Sequence, residues 1–397
     1  MQLAPRLTKF NEPETLKMAK LARELRAQGH DVIGLSLGEP DFDTPAHIKK
    51  AIIDAIEKNY SHYPPVAGYA ELRQAICHKL KRDNGLEYKP ENIIVSTGAK
   101  QSIANMVLAT VDDGDEVIIP TPYWVSYSEI VRIADAKPVL VRTTPENGFK
   151  MTPAELEAAI TPATRLFMFS SPNNPTGAVY NEEELAALAA VFEKYPQIWI
   201  MSDEIYEYTC YKGVHKSLAS FSGLKDRVAV INGFSKGYAM TGYRLGYLAC
   251  GNVNLVAACE KIQGQFTSGA NAATQMGAIA GLMESLEPTK EMVKEFAGRR
   301  QMVLDLVKKI PNVSVVEPDG AFYVFPDVSY YFGKKSGDET IANADDLAMY
   351  LLDKAHVSTV TGSAFGEPHC IRISYAASRA ELEKGLERIR EALLNLK

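Results

Sequence analysis

Short apolar runs recur along the middle of this chain, and longer segments of helical periodicity separate them. Ile93-Ile94-Val95-Ser96 precedes a helical pattern from about 100 to 110, and Glu116-Val117-Ile118-Ile119 precedes another. Pro138-Val139-Leu140-Val141 follows, and Leu166-Phe167-Met168-Phe169 leads through a turn to a helical pattern over 182–195. Ile198-Trp199-Ile200-Met201 and Val228-Ala229-Val230-Ile231 complete the series. Strand-like runs that alternate with helical ones predict an α/β fold with a mostly parallel sheet between helices. The flanks differ. Residues 14–28 carry Met18, Leu21, Ala22 and Leu25 at amphipathic spacing, with Gly29 as a stop. Beyond about Pro288 come a long helical stretch, the runs Val313–Val316 and Ala321–Phe325, a polar segment Gly333–Asp338 and a charged helix from Ser378. The expected division is a large α/β domain over 46–287 and a smaller α+β domain assembled from 1–45 and 288–397. No internal repeat is visible.

Composition narrows the function classes. The chain has 397 residues, 46% of them apolar and 23% charged, an ordinary globular balance. A net charge of −6 with basic residues dispersed offers no electrostatic attraction for nucleic acid or an anionic membrane. Five cysteines (Cys77, Cys210, Cys250, Cys259 and Cys370) are odd in number and widely spaced, which predicts reduced thiols in a cytoplasm. Residues 1–9 lack the apolar stretch of a signal peptide, and no span is long enough to cross a bilayer. The seven histidines never fall at ligand spacing, so no metal site is expected.

In open α/β sheets, ligands bind beyond the carboxyl ends of the strands. Three consecutive strand-like runs end in chemistry: Ser170-Ser171-Pro172-Asn173-Asn174-Pro175-Thr176-Gly177, then Ser202-Asp203-Glu204-Ile205-Tyr206, then Asn232-Gly233-Phe234-Ser235-Lys236. Singly, each has a plain explanation: turn residues, a helix cap, a core aromatic, a solvated lysine. Together they bring an amide, a carboxylate with a phenol, and a hydroxyl with an amine to one region. Lysine is the protein's amine nucleophile for carbonyl chemistry, and Ser235 with Arg244 would suit a phosphate. Gly233-Phe234-Ser235-Lys236-Gly237 also reads as a G-x-S-x-G nucleophile elbow, with Asp327 and His356 or His369 following in hydrolase order. That reading leaves Asn174, Asp203, Tyr206 and Arg372 without a task.

The ordered set of segments is similar to the class I aminotransferases of the fold-type I, pyridoxal-phosphate-dependent superfamily, near the bacterial aspartate aminotransferases. It includes Leu37-Gly38-Glu39-Pro40-Asp41-Phe42, Tyr63-Pro64-Pro65, Ser96-Thr97-Gly98-Ala99-Lys100-Gln101, Pro122-Tyr123-Trp124, Ser171–Gly177, Asp203–Tyr206, Ser235–Arg244 and Ile371-Arg372-Ile373-Ser374. The resemblance implies that Lys236 holds pyridoxal phosphate as a Schiff base and, once freed, moves a proton between the substrate α-carbon and the cofactor. Asp203 would keep the ring nitrogen protonated, Tyr206 and Asn174 would bond the phenolic oxygen, and Trp124 would stack on the ring. Ala99, Lys100, Ser235 and Arg244 would bind the phosphate, joined by Tyr63 from a second subunit of a homodimer. Arg372 would clamp the substrate α-carboxylate, with Gly38, Trp124 and Asn174 beside it, and Asn174-Pro175 would be cis. No arginine for a side-chain carboxylate is found in Gln263–Gly269; Lys100 and Thr15 match a subgroup that uses a lysine and a threonine instead. The implied activity is ping-pong transfer of an amino group from L-aspartate to 2-oxoglutarate. The alternatives are an aminotransferase of aromatic, prephenate, alanine or kynurenine specificity and a carbon–sulfur β-lyase. A transcription regulator of the same fold would need an added DNA-binding module, for which the chain leaves no room.

Overall fold

The apolar runs assemble into one seven-stranded sheet. The structure is a computed structural model describing residues 3–397; Met1 and Gln2, part of the stretch considered for a signal peptide, lie outside the described residues. The strands are β1 (Ile93–Ser96), β2 (Glu116–Thr121), β3 (Lys137–Arg142), β4 (Thr164–Ser170), β5 (Trp199–Asp203), β6 (Val228–Gly233) and β7 (Gly246–Ala249). Their spatial order is β1-β7-β6-β5-β4-β2-β3, and only β7 runs against the rest. Period-two alternation explains why the inner strands read as unbroken apolar runs: both of their faces are buried, whereas the edge strand β3 leaves Leu140 exposed. Leu166, Met168 and Met201 point into one core with Ile103 and Met106, whereas Phe167, Phe169 and Ile200 point into the other with Leu72, Ile76 and Leu80.

A separate apolar core joins the two ends of the chain. Ile33 and Leu35 pack there with Phe296, Leu304, Leu351, Ile373, Leu386 and Ile389. Ile33–Gly34 pairs in parallel with Val357–Ser358, and a small antiparallel sheet has the order β9 (Val360–Thr361), β10 (Ile371–Ser374), β8 (Tyr323–Val324). The helix Glu14–Ala27 ends at Gln28, and Arg379–Leu394 begins with a capping box between Ser378 and Glu381.

Some local expectations shrink. Val313–Val316 is not a strand, because Ser314 makes only a single bridge, to Asp327, and the run has no neighbour to pair with along its length. Of Ala321–Phe325 only Tyr323–Val324 is extended. The polar 333–338 segment turns into a two-residue hairpin, Lys335–Ser336 against Glu339–Thr340. The helices Ala46–Glu57, Ala70–Asn84, Val253–Phe266 and Ala272–Met283, and strand β7, were not read from the sequence.

Candidate active site

Strand register sets the site. Ser170 lies opposite Asp203, and Asp203 opposite Ile231, at the carboxyl edge of β4, β5 and β6. Because β7 is antiparallel, Gly246 at its start pairs with Gly233 and with Ser96, so the end of β1 meets the same edge. A cavity of about 320 Å³ opens there. Every residue singled out for the site lines it (Thr15, Gly38, Ala99, Lys100, Trp124, Asn174, Asp203, Tyr206, Ser235, Lys236, Arg244 and Arg372) except Tyr63. Tyr63 is 94% exposed on the surface of the chain.

Asp203 is 5% exposed and accepts hydrogen bonds from the Tyr127 hydroxyl at 2.7 Å and the Ile205 amide at 3.2 Å. Burial dominates its titration and raises the carboxyl from 3.8 to about 6, while the Tyr127 hydrogen bond opposes that shift. Lys236 donates to the Gly38 carbonyl, and burial lowers its amine to about 8, so about a tenth of it is neutral at pH 7. Glu39 opposes this shift and the cations Arg372 and Arg244 add to it. The Tyr206 hydroxyl shares a 2.6 Å hydrogen bond with Tyr323, and burial holds both phenols above their ordinary range.

Arg372 is 1% exposed, on β10. Its guanidinium donates to Asn174 Oδ1 at 2.9 Å and to the Ser36 carbonyl, and stacks 4.5 Å from the Tyr323 ring centroid. Its Nε has no protein partner. With Oδ1 of Asn174 engaged, the Nδ2 end remains to donate into the cavity. Gly38 is where bare backbone is required: a Cβ would collide with the Tyr323 hydroxyl.

At the other end of the cavity, the helix Ala99–Thr110 starts with no side-chain cap. Its N-cap, Gly98, has φ +85°, and a Cβ there would meet the Arg244 guanidinium at 2.7 Å. Ser235 faces the same space. Amides at a helix start, a hydroxyl and a guanidinium form a cup for a phosphate-sized dianion. Lys100 lies with its Nζ 4.8 Å from the Trp124 ring centroid, and burial beside Arg244 lowers its pKa. Trp124 itself makes an edge-on contact with Tyr127, 5.6 Å between centroids.

The hydrolase constellation is not assembled. Asp327 and His369 line a different pocket, and His356 stacks on His30, so neither base faces Ser235. What the cavity presents is three unmet demands: a desolvated carboxylate, a buried guanidinium with a spare donor, and an uncapped helix end ringed by cationic and hydroxyl groups. A ring with a protonated nitrogen and a phosphate, accompanied by a carboxylate substrate, meets all three. The residues fit pyridoxal phosphate.

Residues 30–389 match the family model described as aminotransferase class I and II. The chain belongs to this aminotransferase family. Across its full length it is 47% identical to a bifunctional aspartate aminotransferase and glutamate/aspartate-prephenate aminotransferase of Petunia hybrida, covering 84% of that protein. It is 43% identical to an aspartate aminotransferase of Bacillus subtilis, with 98% of each chain covered. Among solved structures, the aspartate aminotransferase of Rhizobium meliloti superposes with a TM-score of 0.96 at 41% identity over all of both chains. That of Thermus thermophilus with maleate gives 0.93 at 37%, over 99% and 100%. The fold is therefore that of the fold-type I aminotransferases, and the cofactor of this enzyme is pyridoxal phosphate.

Among the cavity-lining residues to which the sequence assigns no role are Tyr127, Ser170 and Tyr323. Tyr127 follows Trp124 by three residues at the start of the helix Ser126–Ile133, a spacing that places both rings on one side and could have flagged it. Tyr323 carries no such signal, since β8 comes from the opposite end of the chain.

Proposed function

We propose that this chain is an aspartate aminotransferase that moves an amino group from L-aspartate to 2-oxoglutarate in two half-reactions, giving oxaloacetate and L-glutamate. The carrying observation is that one cavity holds a carboxylate clamp at Arg372 and a second, separate cation at Lys100 with Thr15 nearby. Two such anchors suit substrates with two carboxylates, and the relatives' names agree. Pyridoxal phosphate supplies the carbonyl that receives the amino group and the ring that takes up the electron pair left at the substrate α-carbon.

The chain's own groups do the rest. Asp203, ionised, holds a proton on the ring nitrogen. The Lys236 amine would take the proton from the substrate α-carbon and deliver it to the cofactor carbon on the far side of the shared nitrogen, two bonds away, a task its lowered pKa suits. Arg372 fixes the α-carboxylate in a two-pronged geometry that lysine cannot copy. Trp124, which lines the cavity, would stack on one ring face and exclude water. Ser235, Arg244 and the amides at Ala99 and Lys100 would bind the phosphate, and Tyr206 with Asn174 would hydrogen-bond the phenolic oxygen. Tyr63, exposed on this chain, would complete the phosphate cup of a second copy in a homodimer. The five unpaired thiols fit a reducing cytoplasm. The core that joins Ile33 and Leu35 to Phe296, Leu351, Ile373 and Leu386, with Tyr206 as its one fully packed member from 46–287, supports a division at 46–287 against 1–45 with 288–397.

A second reading has a specific basis: Leu16, Leu37 and Ile103 line the same cavity as Lys100, so a 2-oxo acid bearing an apolar ring as well as a second carboxylate, such as prephenate, also finds a surface there. Single-turnover decay of the cofactor absorbance with a panel of L-amino acids tests the assignment. Aspartate and glutamate should react fastest, and preference for phenylalanine or alanine would refute it.

A further inference from the structure

None of the residues in a buried charged cluster near the site lines the cavity, yet the cluster touches the chain on both sides of Lys236. Lys79, on the helix Ala70–Asn84, is 1% exposed. Its ammonium pairs with the Glu207 carboxylate and donates to Asn84 Oδ1 at 2.7 Å. Asn84 Nδ2 in turn donates to Glu207 at 2.8 Å, and so does Asn232 Nδ2, also at 2.8 Å. Asn232 belongs to β6, the strand that leads into Ser235 and Lys236, and its Oδ1 accepts the Gly233 amide at 2.7 Å. A second branch approaches from beyond the lysine. Asp83, 3.9 Å from the Lys79 ammonium, accepts a 2.7 Å hydrogen bond from Tyr208, whose hydroxyl lies 3.1 Å from that of Tyr238. Gly237 rests against the Tyr208 ring, where any Cβ would collide.

An ion pair in the interior is a poor choice for stability alone, since apolar residues of like volume serve as well or better. What it provides is direction, because hydrogen bonds are angular and short. We propose that Lys79 and Glu207 are positioning residues: their buried pair, through Asn232 on one side and Tyr208 and Tyr238 on the other, fixes the Lys236 segment and the Tyr206 turn relative to Asp203. Glu207 follows Tyr206 directly, so a carboxylate that loses its seat moves the phenol with it. This rests on the reading that Lys236 holds the cofactor.

The test uses the holoenzyme of wild type, Asn232→Ala, Lys79→Met, a double Lys79→Met, Glu207→Gln variant and the core control Leu80→Ala. Three quantities are read: the pH midpoint of the visible band of the lysine-bound cofactor, the rate of cofactor loss on dilution, and the denaturation midpoint. Leu80→Ala should lower stability and leave the band midpoint at the wild-type value. Asn232→Ala and Lys79→Met should move the midpoint by about half a pH unit or more and speed cofactor loss about tenfold, the scale of small misplacements in a site. A double Lys79→Met, Glu207→Gln variant, neutral at both positions, should recover part of that shift. Should Lys79→Met yield no folded protein, Asn232→Ala decides alone, because it leaves Lys79 and Glu207 paired. Band midpoints and loss rates in Asn232→Ala and any folded Lys79→Met that match Leu80→Ala would overturn the proposal. Absence of a borohydride-fixed adduct on Lys236 in the wild type would overturn the cofactor assignment as well.

Discussion

Replacing Tyr127 by Phe removes one oxygen and leaves the ring packed edge-on to Trp124. The lost group is the hydroxyl that donates to Asp203 at 2.7 Å in a fully buried setting. A hydrogen bond to a charged group is worth about 1.5–3 kcal/mol, and at 1.36 kcal/mol per unit that is about one to two units of pKa. The bond stabilises the ionised carboxylate, so its loss moves the pKa up. From a starting point of about 6, Asp203 in the variant should titrate near 7–8, roughly. At neutral pH the ionised fraction of the empty site then falls from about nine tenths to between about a half and a tenth. The assay is the pH dependence of pyridoxal phosphate association with the apoprotein, wild type against variant, followed by quenching of tryptophan fluorescence. Titrations of the free cofactor are common to both and cancel. The acid limb should move upward by one to two units, roughly. Coincident limbs would show that Tyr127 does not control Asp203.

Asp203→Asn should stabilise the empty protein while crippling the enzyme. The folded carboxyl binds its proton more tightly than the unfolded chain, 3.8 rising to about 6. Native stability is therefore lost as pH climbs through that window, about 3 kcal/mol in all. Urea midpoints of the apoprotein should favour the Asp203→Asn variant at neutral pH and converge with wild type below the unfolded carboxylate's pKa; no gain at neutrality would count against the burial penalty. Arg372→Lys should lower kcat/KM about 10²–10³-fold for amino donor and 2-oxo acceptor alike, since both present the same carboxylate. Loss for only one of them would move the clamp elsewhere. Lys100→Ala should lower kcat/KM for aspartate about 10–100-fold and spare alanine; equal losses would reduce Lys100 to a phosphate-end cation. Lys236→Ala should abolish turnover and leave cofactor binding non-covalent, and borohydride followed by peptide mass analysis checks this.

Much of the site was legible because it is written where strands end. Asp203, Tyr206, Ser235 and Lys236 each follow an apolar run by a few residues, and a parallel sheet must bring such ends together. Asn174 and Arg244 also lie within local motifs. Lys79 was not legible, since a lysine at helical spacing reads as solvated, and only packing reveals that Glu207 and Asn84 enclose it. Tyr323 depends on how the two chain ends meet, which is information of long sequence separation. β7 escaped notice for a different reason. Leu245–Cys250 is short and interrupted by glycine, and nothing local tells an antiparallel strand from a parallel one.

That one reversed strand has a consequence for how the cofactor grip could be moved or remade. Since β6 and β7 are neighbours running in opposite directions, the link between them leaves and re-enters the sheet at one edge, carrying Ser235, Lys236 and Arg244 in a single excursion. The proposed covalent anchor and phosphate cation thus lie in one cassette whose two flanking strands are hydrogen-bonded to each other. Grafting it onto another sheet would need adjacent antiparallel strands together with a helix start to meet Arg244 and an aromatic seat for Gly237, whereas lengthening it between Lys236 and Arg244 would pull the two cations out of phase with one phosphate.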